Sequence, residues 1–364
     1  MVAATRSRAQ AEAASIAGKP GAPVLWWACI GLIVVLIAIS CAVQWIGSPG
    51  FKPAPTGADA ASPILWAWII FLQVGFSLGA LVYGWLFIAR PVLRDRKLSW
   101  DGMFMLACFT IWLQDPVDNY FNFTFSYNAL MVNWSSWAPH LPGWESPRQE
   151  NFAEPVFMMG SLFFFTFFAM SVIGCWFLRN SKKWFPSMSV LGHLALLLVV
   201  FFVFDLVFES LLCRTGIFAY GGSYHSLTLW AGTPYQFPLY ESSGIATVCL
   251  GMTALRYFRD DHGRSFVEKG VQSLRLPAPA KKLLSWLALV GAVHILVFFG
   301  FFVPYTWFAL KADSYPELPS YLRMEICGKG TAYACPSREV PIPSLKSLAI
   351  APDDPRLSAA ARRN

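Results

Sequence analysis

Six carboxyl side chains stand where a carboxyl is costly. Asp115 and Asp118 lie in Trp112-Leu-Gln-Asp-Pro-Val-Asp-Asn-Tyr120, Asp205 and Glu209 in Phe204-Asp-Leu-Val-Phe-Glu-Ser210, Glu154 in Asn151-Phe-Ala-Glu-Pro155, and Glu241 in Tyr240-Glu-Ser-Ser243. All border or interrupt long apolar runs, and a carboxylate inside a bilayer costs several kcal/mol unless it is paired, protonated or wet. Asp115 and Asp118 are three apart, and Asp118 and Asn122, like Asp205 and Glu209, are four apart, spacings that share one helix face. Carboxyls gathered in a low-dielectric pocket divide into neutral acids and carboxylates, which together make an acid/base pair. That suits proton-driven ring closure, in which a carbonyl, hemiketal, epoxide or alkene is protonated, an internal nucleophile closes on it, and the proton is taken back. Asp115, Asp118, Asp205 and Glu209 are the expected acids and bases. Glu154, Glu241 and Arg214 would set their charge, with Arg214 the nearest cation to Glu209 in the chain. Gln114, Asn119, Tyr120, Asn122 and Tyr220 would contact substrate, and rings such as Trp112 and Phe204 would stabilise a developing cation.

Such residues need elements to hold them. About 20 apolar residues cross a bilayer as a helix, and seven stretches reach that length, at roughly 25–46, 63–89, 102–121, 156–178, 188–211, 238–257 and 284–308. The expected fold is therefore all-α, a polytopic membrane bundle of about seven transmembrane helices. Basic residues alternate between the connections: Arg6, Arg8 and Lys19 precede the first segment, Arg90, Arg94, Arg96 and Lys97 follow the second, Arg179, Lys182 and Lys183 the fourth, and Arg259, Arg264, Lys269, Arg275, Lys281 and Lys282 the sixth, while the intervening loops hold one each. The positive-inside rule then predicts a cytoplasmic N-terminus, an extracytoplasmic C-terminus and a multi-pass protein of the plasma membrane. It also brings the six carboxyls to the extracytoplasmic half, in a polar pocket walled by aromatic loops. Pro116 is expected to break or kink the third segment.

Residues 1–22 read as a disordered tail, 23–310 as the transmembrane domain and 311–364 as an extracytoplasmic tail. There Cys327 and Cys335 meet an oxidising compartment, where a disulfide would close a short loop. His294 and Gln73 lie within apolar segments and read first as packing residues.

Composition agrees. The chain is 56% hydrophobic and only 13% charged, against about 25% charged in a soluble domain, and its 31 Phe and 16 Trp suit lipid-facing helices and interfacial belts. The net charge of +7 sits in loops without interleaved aromatics, so it marks topology and excludes nucleic acid. Five His are too few for a His-cluster oxygenase, and no dinucleotide fingerprint, P-loop or haem motif occurs. No cofactor is expected, and Mg²⁺ only if the substrate were a diphosphate, for which an Asp-Asp-x-x-Asp run is missing.

The length, the seven-segment layout, Gln114-Asp-Pro-Val-Asp-Asn-Tyr120, Asn133-Trp-Ser-Ser-Trp137, Asn151-Phe-Ala-Glu-Pro155 and the Asp205/Glu209 pair resemble the AveC-type spirocyclase family of actinobacterial membrane proteins, over most of 25–330. The resemblance implies cyclisation chemistry, such as spiroketal formation from a dihydroxy-ketone polyketide. The expected partner is thus a lipophilic polyketide or terpenoid that reaches the pocket from the bilayer. Two other classes use buried carboxylates: a proton- or cation-coupled transporter, against which stand the missing internal repeat and the one-sided clustering, and a lipid-binding scaffold whose acids only fasten helices.

Overall fold

The computed structural model describes residues 22–340, 342 and 350–358. The expectation of a disordered 1–22 therefore lies, apart from Ala22, outside the described residues. Seven long helices run in chain order: α1 (Ala22–Ile46), α2 (Pro63–Gly84), α3 (Trp100–Phe109), α4 (Ser161–Trp184), α5 (Val190–Arg214), α6 (Leu239–Tyr257) and α7 (Ala278–Val297), followed by the short α8 (Val303–Ala309) and α9 (Ser320–Arg323). Serine caps open three of them. Ser62, Ser99 and Ser189 each accept from the backbone N–H three residues on, which satisfies a donor that the first helical turn leaves free. Pro63 follows the first of these caps, where its missing N–H costs nothing.

Five of these helices, with their extensions, are long and apolar enough to cross a membrane: Pro23–Ile46, Pro63–Asp95, Val156–Trp184, Val190–Arg214 and Ala278–Ala309. This is a membrane protein by length and composition. The third and sixth expected segments are helices too, but interior ones. α3 has only ten α-helical residues before its polar run tightens the chain, and α6 carries Glu241, Arg256 and a serine-rich first turn. Both sit among the spans: α6 packs on α4 and α5, and α3 on α4 and α7. At the rim, only 17% of the most apolar window of the α2 span is buried, against 56% for the α7 span.

π turns interrupt three of the spans, at Trp85–Ala89, Val156–Gly160 and Phe298–Phe302. Such bulges change which face a helix presents below them and recur at functional sites. The last two border the cavity described below.

At one end of the bundle lie the basic connections after α2, α4 and α6. At the other, the loops 47–62, 120–155 and 215–238 and residues 311–336 pack into a cap. A two-stranded antiparallel ribbon joins two of these loops: β1 (Ser126–Tyr127) pairs with β2 (Phe218–Ala219) in the register Ser126↔Ala219, Tyr127↔Phe218. A second ribbon, β3 (Thr228–Leu229) with β4 (Phe237–Pro238), lies within the 215–238 loop. The segment after α8 is stitched on rather than trailing. Ala129 donates to the Tyr321 carbonyl, Ser223 pairs with Ser314, and Arg148 Nε donates to the Glu325 carbonyl at 2.8 Å. The Ser320 N–H and hydroxyl beside Asp59 hold its carboxyl below the usual carboxylate range. Cys327 and Cys335 are joined as a disulfide and belong to the main core together with Leu318, Leu322, Met324 and Ile326. Replacing both cysteines by serine is expected to cost about 2–3 kcal/mol, the closure entropy of so short a loop. Thermal unfolding of the detergent-purified protein with and without reductant measures it, and wild type and variant should melt alike once reduced.

Candidate functional site

The 110–119 stretch sets the geometry. After Phe109 the helix narrows to a 3-10 helix, Thr110–Asn119, with Pro116 inside it. Pro116 has no N–H to give to the α-helical ladder, and in the tighter spiral residues three apart eclipse one another. Asp115 and Asp118 therefore point the same way, with Gln114 and Val117 on the other side. On α5, Asp205 and Glu209 are one turn apart and face the same direction. Glu241 stands in the first turn of α6, and Glu154 just ahead of the π turn that leads into α4.

These elements enclose one cavity of about 300 Å³, whose wall includes Asp115, Asp118, Asp205, Glu209 and Glu241. Its other surfaces are almost wholly apolar, with rings from α2 (Phe76), α4 (Phe163, Phe165, Phe167), α5 (Phe201, Phe204, Phe208) and the extension of α7 (Phe301, Phe302). The β1–β2 ribbon is its roof. Alternate residues of a strand share a face, and here the face is aromatic: Phe125, Tyr127 and Phe218 line the cavity, Tyr220 joins them against Phe125 with ring centroids 5.0 Å apart, and the small Ser126 and Ala219 take the outer side.

The carboxyls form two groups. In the first, the Tyr127 hydroxyl donates to Asp115 Oδ1 at 2.9 Å, the Asp115 carboxyl meets that of Glu154, and the Trp112 indole N–H donates to Glu154 Oε2 at 3.3 Å. Two carboxyl groups lie against each other only with a proton between them. In the second, the Tyr220 hydroxyl donates to Glu209 Oε2 at 2.9 Å and also neighbours Glu241, while Ser242 lies beside Asp205 with its hydroxyl unpartnered. Asp115 Oδ2, Asp118 Oδ1, Glu154 Oε1, Asp205 Oδ2 and Glu241 Oε2 are buried without a donor. None of the ion pairs among the described residues engages any of the six acids. Six acids packed together without a cation cannot all be charged; Asp115 and Glu154 face each other, and the unpartnered oxygens of Asp118, Asp205 and Glu241 face no such neighbour.

Several expected contacts take other places. Arg214 does not meet Glu209: five residues on a helix is about 140° around the axis, and its exposed guanidinium lies 4.2 Å from the Trp230 ring centroid and 4.0 Å from that of Tyr235. Asn119 turns its amide into the chain, donating to the Phe125 carbonyl and accepting from the Thr124 and Phe125 N–H groups, so it shapes the loop that leads into the ribbon. Asn122 accepts from Phe123 N, and the Tyr120 hydroxyl donates to the Gly143 carbonyl at 2.7 Å. Gln114 and Tyr120 border a second cavity on the opposite side of the 3-10 helix. Trp112 stands behind Glu154, and Phe204 is half-exposed on the cavity rim. Gln73 accepts from the Val132 N–H. The aromatic loops expected to wall the pocket do so through Phe125, Tyr127 and Phe218, and Thr166 is a polar lining residue that the sequence did not single out. The alternation Phe123-x-Phe125-x-Tyr127, answered by Phe218-x-Tyr220, is the signal that would have found the ribbon.

Among the described residues no group of three or more His, Cys, Asp or Glu is arranged to hold a metal ion. No match is found among curated proteins or solved structures. A family model described as "Spirocyclase AveC-like" matches residues 95–321, a stretch that holds all six acids and both strands of the roof. The chain belongs to the AveC-like spirocyclase family.

Proposed function

We propose that the protein is a membrane-embedded cyclase that closes rings in a lipophilic substrate, a polyketide or terpenoid, by proton transfer between buried carboxyl groups. One observation carries the reading: acids from the 3-10 helix after α3, from α5 and from α6 converge on one aromatic cavity, and two of them are held by tyrosine hydroxyls from the roof. For a dihydroxy-ketone the steps balance as follows. A neutral acid protonates the ketone oxygen while the first hydroxyl adds to the carbon and gives its proton to a carboxylate, forming a hemiketal. The carboxyl that took up that proton then gives it to the hemiketal hydroxyl, which leaves as water. The second hydroxyl attacks the resulting oxocarbenium ion and passes its proton back to the carboxylates, so one water is lost and the protein is unchanged. The surrounding rings stabilise the cation, and the apolar wall keeps bulk water from capturing it.

The same reading takes seven membrane crossings, with α3 and α6 completing the bundle, a cytoplasmic N-terminus and residence in the plasma membrane. The basic loops at one end and the disulfide at the other support that orientation. Substrate reaches the cavity sideways from the lipid, between α2, α4 and α5, where Phe76, Phe165, Phe204 and Phe208 form the rim.

The test compares lipophilic metabolites from cells with the gene deleted and restored. Loss of a cyclised product on deletion, with accumulation of a precursor heavier by one water or isomeric with it, supports the cyclase. An unchanged metabolite set with a solute redistributed across the membrane replaces it with transport, and no change in either leaves a lipid-binding role.

A further inference from the structure

The reaction cavity has a neighbour. Behind the 3-10 helix, between α1, α7 and α8, lies a second cavity of about 560 Å³. Phe302 belongs to the walls of both, and the 3-10 helix separates them, with Asp115 and Asp118 on one side and Gln114 and Val117 on the other. The lining is apolar except for Gln114, Tyr120, His294 and Thr306. Tyr120 is already committed to the Gly143 carbonyl.

His294 is the informative residue. It is 2% exposed, deep in a helix where a histidine is costly. Its Nε2 lies 3.0 Å from Thr110 Oγ1, and the Thr110 hydroxyl proton is directed at the Ala107 carbonyl at 2.6 Å. Thr110 Oγ1 therefore accepts, Nε2 carries the ring proton, and Nδ1 is left as a bare acceptor with no partner. Gln114 Oε1 on the same lining is also buried without a partner. A packing histidine would have both nitrogens satisfied or lie against solvent. An unpartnered ring nitrogen and an unpartnered side-chain amide in an apolar chamber suit a single hydroxyl on an otherwise apolar molecule, which can donate to the first and accept from the second.

We infer that this second cavity is a binding site for a single-chain lipophilic alcohol, whose hydroxyl donates to His294 Nδ1 and accepts from the Gln114 side-chain amide and whose chain lies along α1. A smaller cavity shares Ile37 and Pro142 with it and continues along Ile33, Leu36 and Gln44, so the groove is long enough for an extended chain. The inference does not rest on the cyclase reading.

Photolabelling tests it. The purified full-length protein in nanodiscs is irradiated with a long-chain primary alcohol carrying a diazirine, or with the matching alkane probe, and labelled peptides are mapped by mass spectrometry. The alcohol should label peptides around 113–121 and 294–306, and the alkane should label them about fivefold to tenfold less, the loss expected when one hydrogen bond is not made. His294→Leu and Gln114→Leu should each reduce alcohol labelling to the alkane level. Val303→Trp, at a half-exposed lining position that touches neither acid group, should block both probes by filling the space and keeps the test open if His294→Leu fails to fold. Equal labelling by alkane and alcohol, or alcohol labelling that survives all three variants, would overturn the assignment and leave the groove an ordinary lipid contact.

Discussion

Asp205→Asn is expected to lower turnover by about 10²–10⁴-fold, the usual contribution of a positioned acid or base, while leaving substrate retention in the membrane fraction within about twofold. The substitution preserves shape and polarity, so the fold should not notice it. Asp205 is 5% exposed and lines the cavity beside Ser242, with Oδ2 unpartnered. An amide fills the same space as the acid, but it cannot hand over or take up a proton. Asp115→Asn removes the equivalent function from the first group, where Tyr127 donates to Oδ1 and Glu154 shares the other side. If the two groups pass protons through one bound substrate, the double variant should be little worse than either single one, because groups that act as a unit fail together. Conversion of a dihydroxy-ketone by isolated membranes, followed as loss of one water by mass spectrometry, measures all three. Turnover by Asp205→Asn within threefold of wild type would remove α5 from the chemistry and leave the cavity a structural feature.

Depth made Asp205 legible from the sequence. An acid roughly two turns inside an apolar run has no cheap explanation, and the same argument picked out Asp115, Asp118 and Glu209. Local spacing also sufficed for Pro116, whose chemistry dictates the tightened helix that aligns Asp115 with Asp118. What could not be read depends on contacts between elements far apart in the chain. The pairing of Tyr127 with Phe218 spans about 90 residues, and each strand is two residues long, too short for its alternation to stand out beside seven apolar runs. Arg214 was misplaced for a simpler reason: nearness in sequence was taken for nearness in space, and the helix turns it about 140° away from Glu209. Hydropathy likewise cannot tell a helix facing protein from one facing lipid, so the sequence did not show that α3 and α6 lie among the other helices, with α6 lining the cavity.

The largest effect on stability is expected at Gly31. The buried face of α1 is narrow, with Val24, Ala28 and Gly31 at successive helical turns, and it packs against α7 more closely than side chains allow. A Cβ on Gly31 would run into the Leu287 carbonyl, and a Cβ on Gly291 would run into that of Trp27. Both obstacles are backbone, so no rotamer change relieves them, and the helices must move apart. Close backbone approach through small residues is how membrane helices gain packing where lipid offers no hydrophobic drive. Gly31→Ala should therefore destabilise by at least about 1–3 kcal/mol, the range for overpacking, although Ala is the better helix former. Gly31→Leu should strip α1 from the bundle. The damage should spread to activity, because α7 continues into Phe301 and Phe302, two walls of the reaction cavity. Gly75→Ala in α2 is the control. A Cβ there meets nothing within 4 Å, so the same substitution should leave melting unchanged or raise it slightly through helix propensity. Thermal unfolding in one detergent reads both, and equal melting temperatures for Gly31→Ala and Gly75→Ala would show that the α1–α7 contact is looser than a backbone-to-backbone fit.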